Sequence, residues 1–171
     1  MKKVRGHLWE EAPAVDGQDL ERTLETLAAL GDFERALGDM YATCATIWND
    51  DAPFWTRFVE AEGRHAEMMG RIAGLVSSDP ASFEPARPLT AAATRAQVEY
   101  IKERTRKFAD GSTAPRTALL VAAELERSVL EQRFYELVAT DDPEYRSLVK
   151  TIVGETEKHT RWLDERLKAD A

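Results

Sequence analysis

Residues 58–72 read FVEAEGRHAEMMGRI. Phe58, Glu62, His65, Met69 and Ile72 follow one another at steps of three or four, the spacing that lines one face of an α-helix. Phe58, Met69 and Ile72 are apolar, so this is the face a helix buries. Glu62 and His65 stand in the middle of it, in a chain with only three histidines to place. A carboxylate or an imidazole on a buried face needs a partner, a proton or an ion.

The same period extends outward in both directions. Upstream, NDDAP at 49–53 breaks the pattern, with Asp50 or Asp51 suited to cap the next helix and Pro53 to its first turn. Helices are therefore expected over about 19–48, with Leu27, Leu30, Leu37, Tyr41 and Cys44 inward, and over about 53–76, where Trp55 joins the inward set. SSDPASFEPARP at 77–88 reads as loop, and a polar helix follows over about 90–109, ended by DGSTAP. Two more apolar-striped helices are expected. One covers about 116–139, with Leu119, Ala123, Leu130, Phe134 and Leu137 inward. The other covers about 143–167, with Leu148, Ile152 and Leu163 inward, after the turn and N-cap TDDP. Alternation of the strand type is absent. The expectation is an all-α chain, one domain over residues 1–171, built as two antiparallel hairpins. The long connection between them carries the extra polar helix, which lies along or caps the bundle.

Composition narrows the function classes. Charged residues make up 32% and apolar residues 43%, an ordinary water-facing mix. The formal net charge of −8 argues against a nucleic-acid partner. No apolar run approaches the length of a membrane span. The start, MKKVRGHLWEE, has no apolar segment behind its lysines, so no signal peptide and a cytoplasmic location are expected. The single cysteine, Cys44, excludes an internal disulfide or a CxxC metal knuckle. No Ser–His–Asp order and no Gly-rich phosphate loop appears.

The interruptions of the apolar stripes carry the chemistry. Glu34 falls between Leu30 and Leu37, Glu126 between Ala123 and Leu130, and Thr156 and His159 between Ile152 and Leu163. With Glu62 and His65, the interior receives three carboxylates and two imidazoles, all near mid-helix. One inward histidine is ordinarily a satisfied core residue. Five such groups in two matched halves ask for more. Residues at i and i+3 share a helix face, so Glu62 and His65 can grip one ion. A carboxylate can also bridge two ions, which an imidazole does not do. The mixed Glu and His set is what a paired-metal site needs.

At these residues the chain resembles the rubrerythrin-type members of the ferritin-like family, over about residues 19–167. The most specific parts are Glu34 with Tyr41 in ERALGDMY and Glu62 with His65 in EGRH. The resemblance implies a ferritin-like four-helix bundle with one long crossover connection. It also implies a carboxylate-bridged di-iron or iron/manganese centre that reacts with oxygen or peroxide, as in a small oxidase or peroxidase. The ligands it implies are Glu34, Glu62, His65, Glu126 and His159. The pattern departs in ETEKH, where Thr156 stands in the place of a glutamate. Glu155 and Glu157 lie about 100° to either side and are not expected to reach inward without a local distortion. Three carboxylates leave two divalent ions with one surplus positive charge, to be offset by hydroxide, water or an anion. Affinity at the second position should fall. An intact pair, a single ion on the Glu62/His65 side, or an empty relic then remain as outcomes. Rubrerythrins proper also carry a four-cysteine iron site that supplies electrons; with one cysteine, turnover here needs an external electron donor. The alternative is a non-catalytic bundle with a degenerate site, serving interaction or structure. A homodimer is the default assembly.

Of the remaining candidates, Tyr41 is expected in the core, with a place beside the metal or as a radical site as the alternative. Cys44 is expected to be a small, inert buried residue. The basic run IKERTRK at 101–107 reads as a solvated face. The tryptophans at 9, 48, 55 and 162 read as helix-end or interface anchors, with Trp9 packing on a bundle end or a second subunit.

Overall fold

A computed structural model describes residues 17–86 and 89–169. The expectations for Trp9 and the rest of the N-terminal lead lie outside these residues. The chain is predominantly helical: α1 Gly17–Ile47, α2 Ala52–Ser78, α3 Ala91–Ala109, α4 Pro115–Gln132 and α5 Pro143–Ala169. Two short strands, β1 Glu84–Pro85 and β2 Val138–Ala139, pair antiparallel. No described helix is long and apolar enough to cross a membrane.

The breaks follow local chemistry. Pro53 lies in the first turn of α2, but neither Asp50 nor Asp51 caps it with a side chain; the carboxylate of Asp51 instead takes Arg166 of α5 at 2.6 Å. Thr90 Oγ1 accepts the Ala93 amide and starts α3. Gly111, at φ +73°, turns the chain after α3 in the left-handed region that glycine favours. Asp142 Oδ1 accepts the Tyr145 amide at 2.7 Å and caps α5.

Helix α1 packs on α2 and, on another side, along α3; α4 packs on α5, and α5 on α2. The connecting helix α3 thus lies along α1, burying Val98, Ile101 and Phe108. The core gathers Leu27, Leu37, Met40, Trp55, Phe58, Ile72, Ile152 and Leu163. At α2–α5 an antiparallel seam is laced by Arg71 with Glu144, Arg64 with Glu155, and Arg57 over the ring of Trp162.

Two expectations need correction. The helix expected to reach Ala139 ends at Gln132. Arg133 adopts a left-handed conformation (φ 50°), and Phe134–Glu136 tighten into a 3₁₀ turn before β2. Phe134 and Leu137 are still buried, so the apolar pattern persists while the backbone changes. Leu130 is only half-buried, and Val129 takes the core position. The presumed loop at 77–88 holds a 3₁₀ turn, Pro80–Ser82, and then β1, whose partner is β2.

Candidate metal centre

Each of the four apolar helices carries its polar interruption to one place. Glu34 comes from α1, Glu62 and His65 from α2, Glu126 from α4, and Thr156 and His159 from α5. All six are buried, none more than 2% exposed. A broad surface groove between the strands and the first half of α5 includes none of them.

The arrangement centres on Glu62. Its Oε2 lies 2.9 Å from His65 Nδ1 and its Oε1 lies 3.0 Å from His159 Nδ1, so each carboxylate oxygen faces a different imidazole. Glu34 Oε2 approaches His65 Nδ1 at 3.9 Å, and Glu126 Oε1 approaches His159 Nδ1 at 3.3 Å. The groups form two triads of donor atoms, Glu34–Glu62–His65 and Glu62–Glu126–His159, with Glu62 common to both. The two rings stand 5.8 Å apart. These are the five residues singled out from the sequence, and they converge.

The two halves differ in hydrogen bonding. His65 is satisfied on both nitrogens, by Glu62 and, at Nε2, by Glu155 Oε2 at 3.0 Å. Glu62 Oε1 and His159 Nδ1 are close enough to form an ion pair but do not meet as a hydrogen bond. Buried polar atoms are rarely left so. Two buried ligand atoms that meet only as an ion pair, beside the carboxylate of Glu126, are what a cation would satisfy. The residues therefore fit a metal ion in donor type, burial and convergence.

Electrostatics point the same way. Burial opposes charging of both imidazoles, but the carboxylates around them win: His65, beside Glu34 and Glu62, is raised to about 11, and His159, beside Glu126 and Glu62, to about 9. Burial also raises Glu62, but contacts from His159 and His65 outweigh it and hold the carboxyl down at about 2. Burial and the charge of Glu62 push Glu34 up to about 8, and Glu126 up as well. In the metal-free protein, protons take the place of positive ions.

The walls are aromatic. Phe58 lies 4.7 Å from the His159 ring, and Trp162 lies 5.8 Å from it. Trp162 thus lines the centre, and Trp55 is core, stacked on Tyr41. Among the described tryptophans, Trp48, tilted against Phe108, and Trp55, in the first turn of α2, sit at helix ends as expected. Tyr41 is more than core: its hydroxyl donates to Glu126 Oε1 at 2.6 Å. Cys44 is fully buried, and burial pushes its thiol up to about 12, which leaves it inert.

No family model, no curated protein and no solved structure matches the chain.

One residue was misjudged from the sequence. Glu155 does reach His65, from the rim of α5, and Arg64 holds it at 3.2 Å. No helix distortion is needed, since α5 runs unbroken from Pro143 to Ala169. A glutamate 100° off the inward stripe is long enough to touch a residue on the neighbouring helix. Its partner nitrogen is the outer one, so Glu155 orients the imidazole and does not replace the missing glutamate at 156. Thr156 is inward as expected, and its hydroxyl donates to Ile152 O at 2.9 Å.

Proposed function

We propose that this chain is a ferritin-like, rubrerythrin-type protein whose four long helices α1, α2, α4 and α5 form a bundle around a two-ion, iron or iron/manganese centre that reacts with oxygen or peroxide. The observation that carries the reading is Glu62, which offers one oxygen to each of two buried triads. Bound iron would supply electron transfer to oxygen or peroxide.

The chain's own residues do the rest. Glu34 and His65 would hold one ion, Glu126 and His159 the other, and Glu62 would bridge. Glu155 fixes the ring plane of His65 from outside, the usual companion of a metal-bound histidine. Tyr41 steadies Glu126 through its hydroxyl proton. Phe58 and Trp162 flank the His159 ring, so the buried centre has apolar walls and suits small reactants. With one cysteine the chain has no built-in four-cysteine electron source, and an external electron donor, with assembly as a homodimer, completes the proposal.

Thr156 favours a second reading, a non-catalytic bundle in which protons alone hold the interior groups together. Metal analysis of protein produced with iron and manganese present separates the two. About two ions per chain, lost in Glu62→Ala, with consumption of peroxide when a reductant is supplied, is the expected result. No bound ion, and a Glu62→Ala variant unchanged in metal and stability, would establish the second reading. Zinc occupancy does not discriminate, because nitrogen and oxygen sites take zinc readily whatever the working ion.

A further inference from the structure

We infer that the position facing Thr156 is a binding site for a small monocarboxylate anion, of formate size, which takes the place of the absent glutamate and completes the second ion position. The inference rests on the two-ion reading above.

Three observations carry it. The first is the mismatch between matched turns. Glu62 stands three residues before His65 on α2, and Thr156 stands three before His159 on α5, both buried and both inward. The threonine is neutral and shorter. Its one proton is committed to Ile152 O, so it offers the centre neither charge nor a donor.

The second is charge. Glu34, Glu62 and Glu126 bring three negative charges against the four of two divalent ions. The surplus charge lies among Phe58, Trp162 and the rest of an apolar core. An uncompensated buried charge is strongly disfavoured. The only other carboxylate in contact with the centre, among the described residues, is Glu155. It is on the far side of His65 and already paired with Arg64.

The third is the location of the two orphaned atoms. Glu62 Oε1 and His159 Nδ1 meet each other as an ion pair at 3.0 Å but without a hydrogen bond, whereas both ring nitrogens of His65 have hydrogen-bond partners. Both orphaned atoms belong to the triad of Glu62, Glu126 and His159, and His159 lies one helical turn from Thr156 on α5. The deficit and the shortened side chain therefore coincide in the same half of the centre. An anion with two oxygens on one carbon matches the group that threonine lacks. It can bridge two ions as a glutamate would.

Cobalt(II) titrated into metal-free protein, in degassed buffer without carboxylates, provides the test, with stoichiometry and the visible spectrum as readouts. The expected result is one tightly bound ion and a second that binds weakly. Millimolar sodium formate should tighten the second by about tenfold or more, since removing one buried uncompensated charge is worth at least that factor. Benzoate, far bulkier than the difference between a threonine and a glutamate side chain, should have no effect. Thr156→Ala should keep the formate dependence, and Thr156→Glu should bind two ions without it. Should Thr156→Glu fail to fold, the wild-type and Thr156→Ala titrations still decide, through the contrast of formate with benzoate. Two ions bound by the wild type with no response to formate would overturn the inference alone, with hydroxide or water supplying the charge. No ion bound by wild type or variant would overturn the two-ion reading and this inference with it.

Discussion

Tyr41 and Glu126, 85 residues apart in the chain, are joined through the interior by a 2.6 Å hydrogen bond from the phenol to the carboxylate. The bond ties α1 to α4, helices that make little backbone contact with each other. It also gives a buried carboxylate its protein donor. Tyr41→Phe keeps the ring stacked on Trp55 and tilted on Phe58 while deleting only the hydroxyl. Leaving Glu126 without that donor should destabilise the metal-free protein by about 1–3 kcal/mol. Urea unfolding monitored by circular dichroism would measure it. Tyr41→Phe combined with Glu126→Leu should cost less than the sum of the two single changes, because the two side chains act as a pair. Additive losses would mean that the bond contributes nothing.

Glu155 should act on metal binding and little on folding. It is partly exposed, and its ion pair with the exposed Arg64 is of the surface kind that contributes little to stability. Its contact with His65 Nε2 is different, because that imidazole is fully buried and Nδ1 faces the ligand set. Glu155→Gln is expected to lower affinity for the ion at His65 by about 10–100-fold. Thermal stability of the metal-free protein should change little. Arg64→Ala, which leaves Glu155 in place, should have the smaller effect on metal. Equal metal affinity for Glu155→Gln and wild type would remove Glu155 from the proposed centre.

How far the site could be read from the chain depended on whether an element's partner mattered. The face on which Glu34, Glu62, His65, Glu126, Thr156 and His159 lie is set by helical period alone, and all six are buried as the stripes implied. The end of α4 is not a matter of period. Phe134 and Leu137 continue the apolar spacing and remain buried, yet the backbone leaves the helix at Arg133, because Val138 and Ala139 pair with Pro85 and Glu84. That pairing spans more than fifty residues and leaves no local trace. Glu155 was missed for a related reason. Its own helix points it sideways, and only the position of α2 makes His65 reachable. Trp162 differs: it borders His159 one turn along the same helix, a relation that helical period alone gives.

Several helical glycines are open to improvement, and one of them tests the approach of α1 to α2. A methyl group at Gly38 would meet Glu62 Cβ at 3.5 Å, an ordinary van der Waals contact. Gly63 and Gly154 would meet nothing within 4 Å. Each change to alanine should stabilise by about 0.5–1 kcal/mol, since glycine in a helix interior gives up more backbone freedom on folding. Gly38→Ala should also leave metal binding intact, whereas Gly38→Leu should displace Glu62 and weaken both ion positions together. Urea unfolding and metal titration of the variants would check this. A Gly38→Ala variant that loses metal while Gly63→Ala keeps it would show that the helices lie closer than described.

The protons of the metal-free centre give its stability a definite dependence on pH. His65 rises from an ordinary 6.5 to about 11 and His159 to about 9, despite burial, through their contacts with Glu34, Glu126 and Glu62. Glu34 rises from 4.5 to about 8, chiefly through burial. Groups raised on folding stabilise the fold fully below their unfolded values and lose that contribution as pH climbs through the folded ones. The loss should therefore begin above about pH 4.5 through Glu34, steepen above 6.5 as the two histidines join, and deepen toward pH 10. Glu62, held at about 2, acts in the opposite sense and matters only as pH falls below its ordinary 4.5. Melting of chelator-treated protein should fall by about 5 °C or more between pH 6.5 and 10, at about 2–4 °C per kcal/mol for a chain of this size. His159→Gln should flatten the curve. Metal ions must displace these same protons, so affinity for manganese should rise with pH and binding should release protons. Calorimetric titration in buffers of different ionisation heat counts the protons directly. A melting temperature that is flat or rising over that pH range, with no proton release on metal binding, would mean that the buried carboxylates and imidazoles are not paired as described.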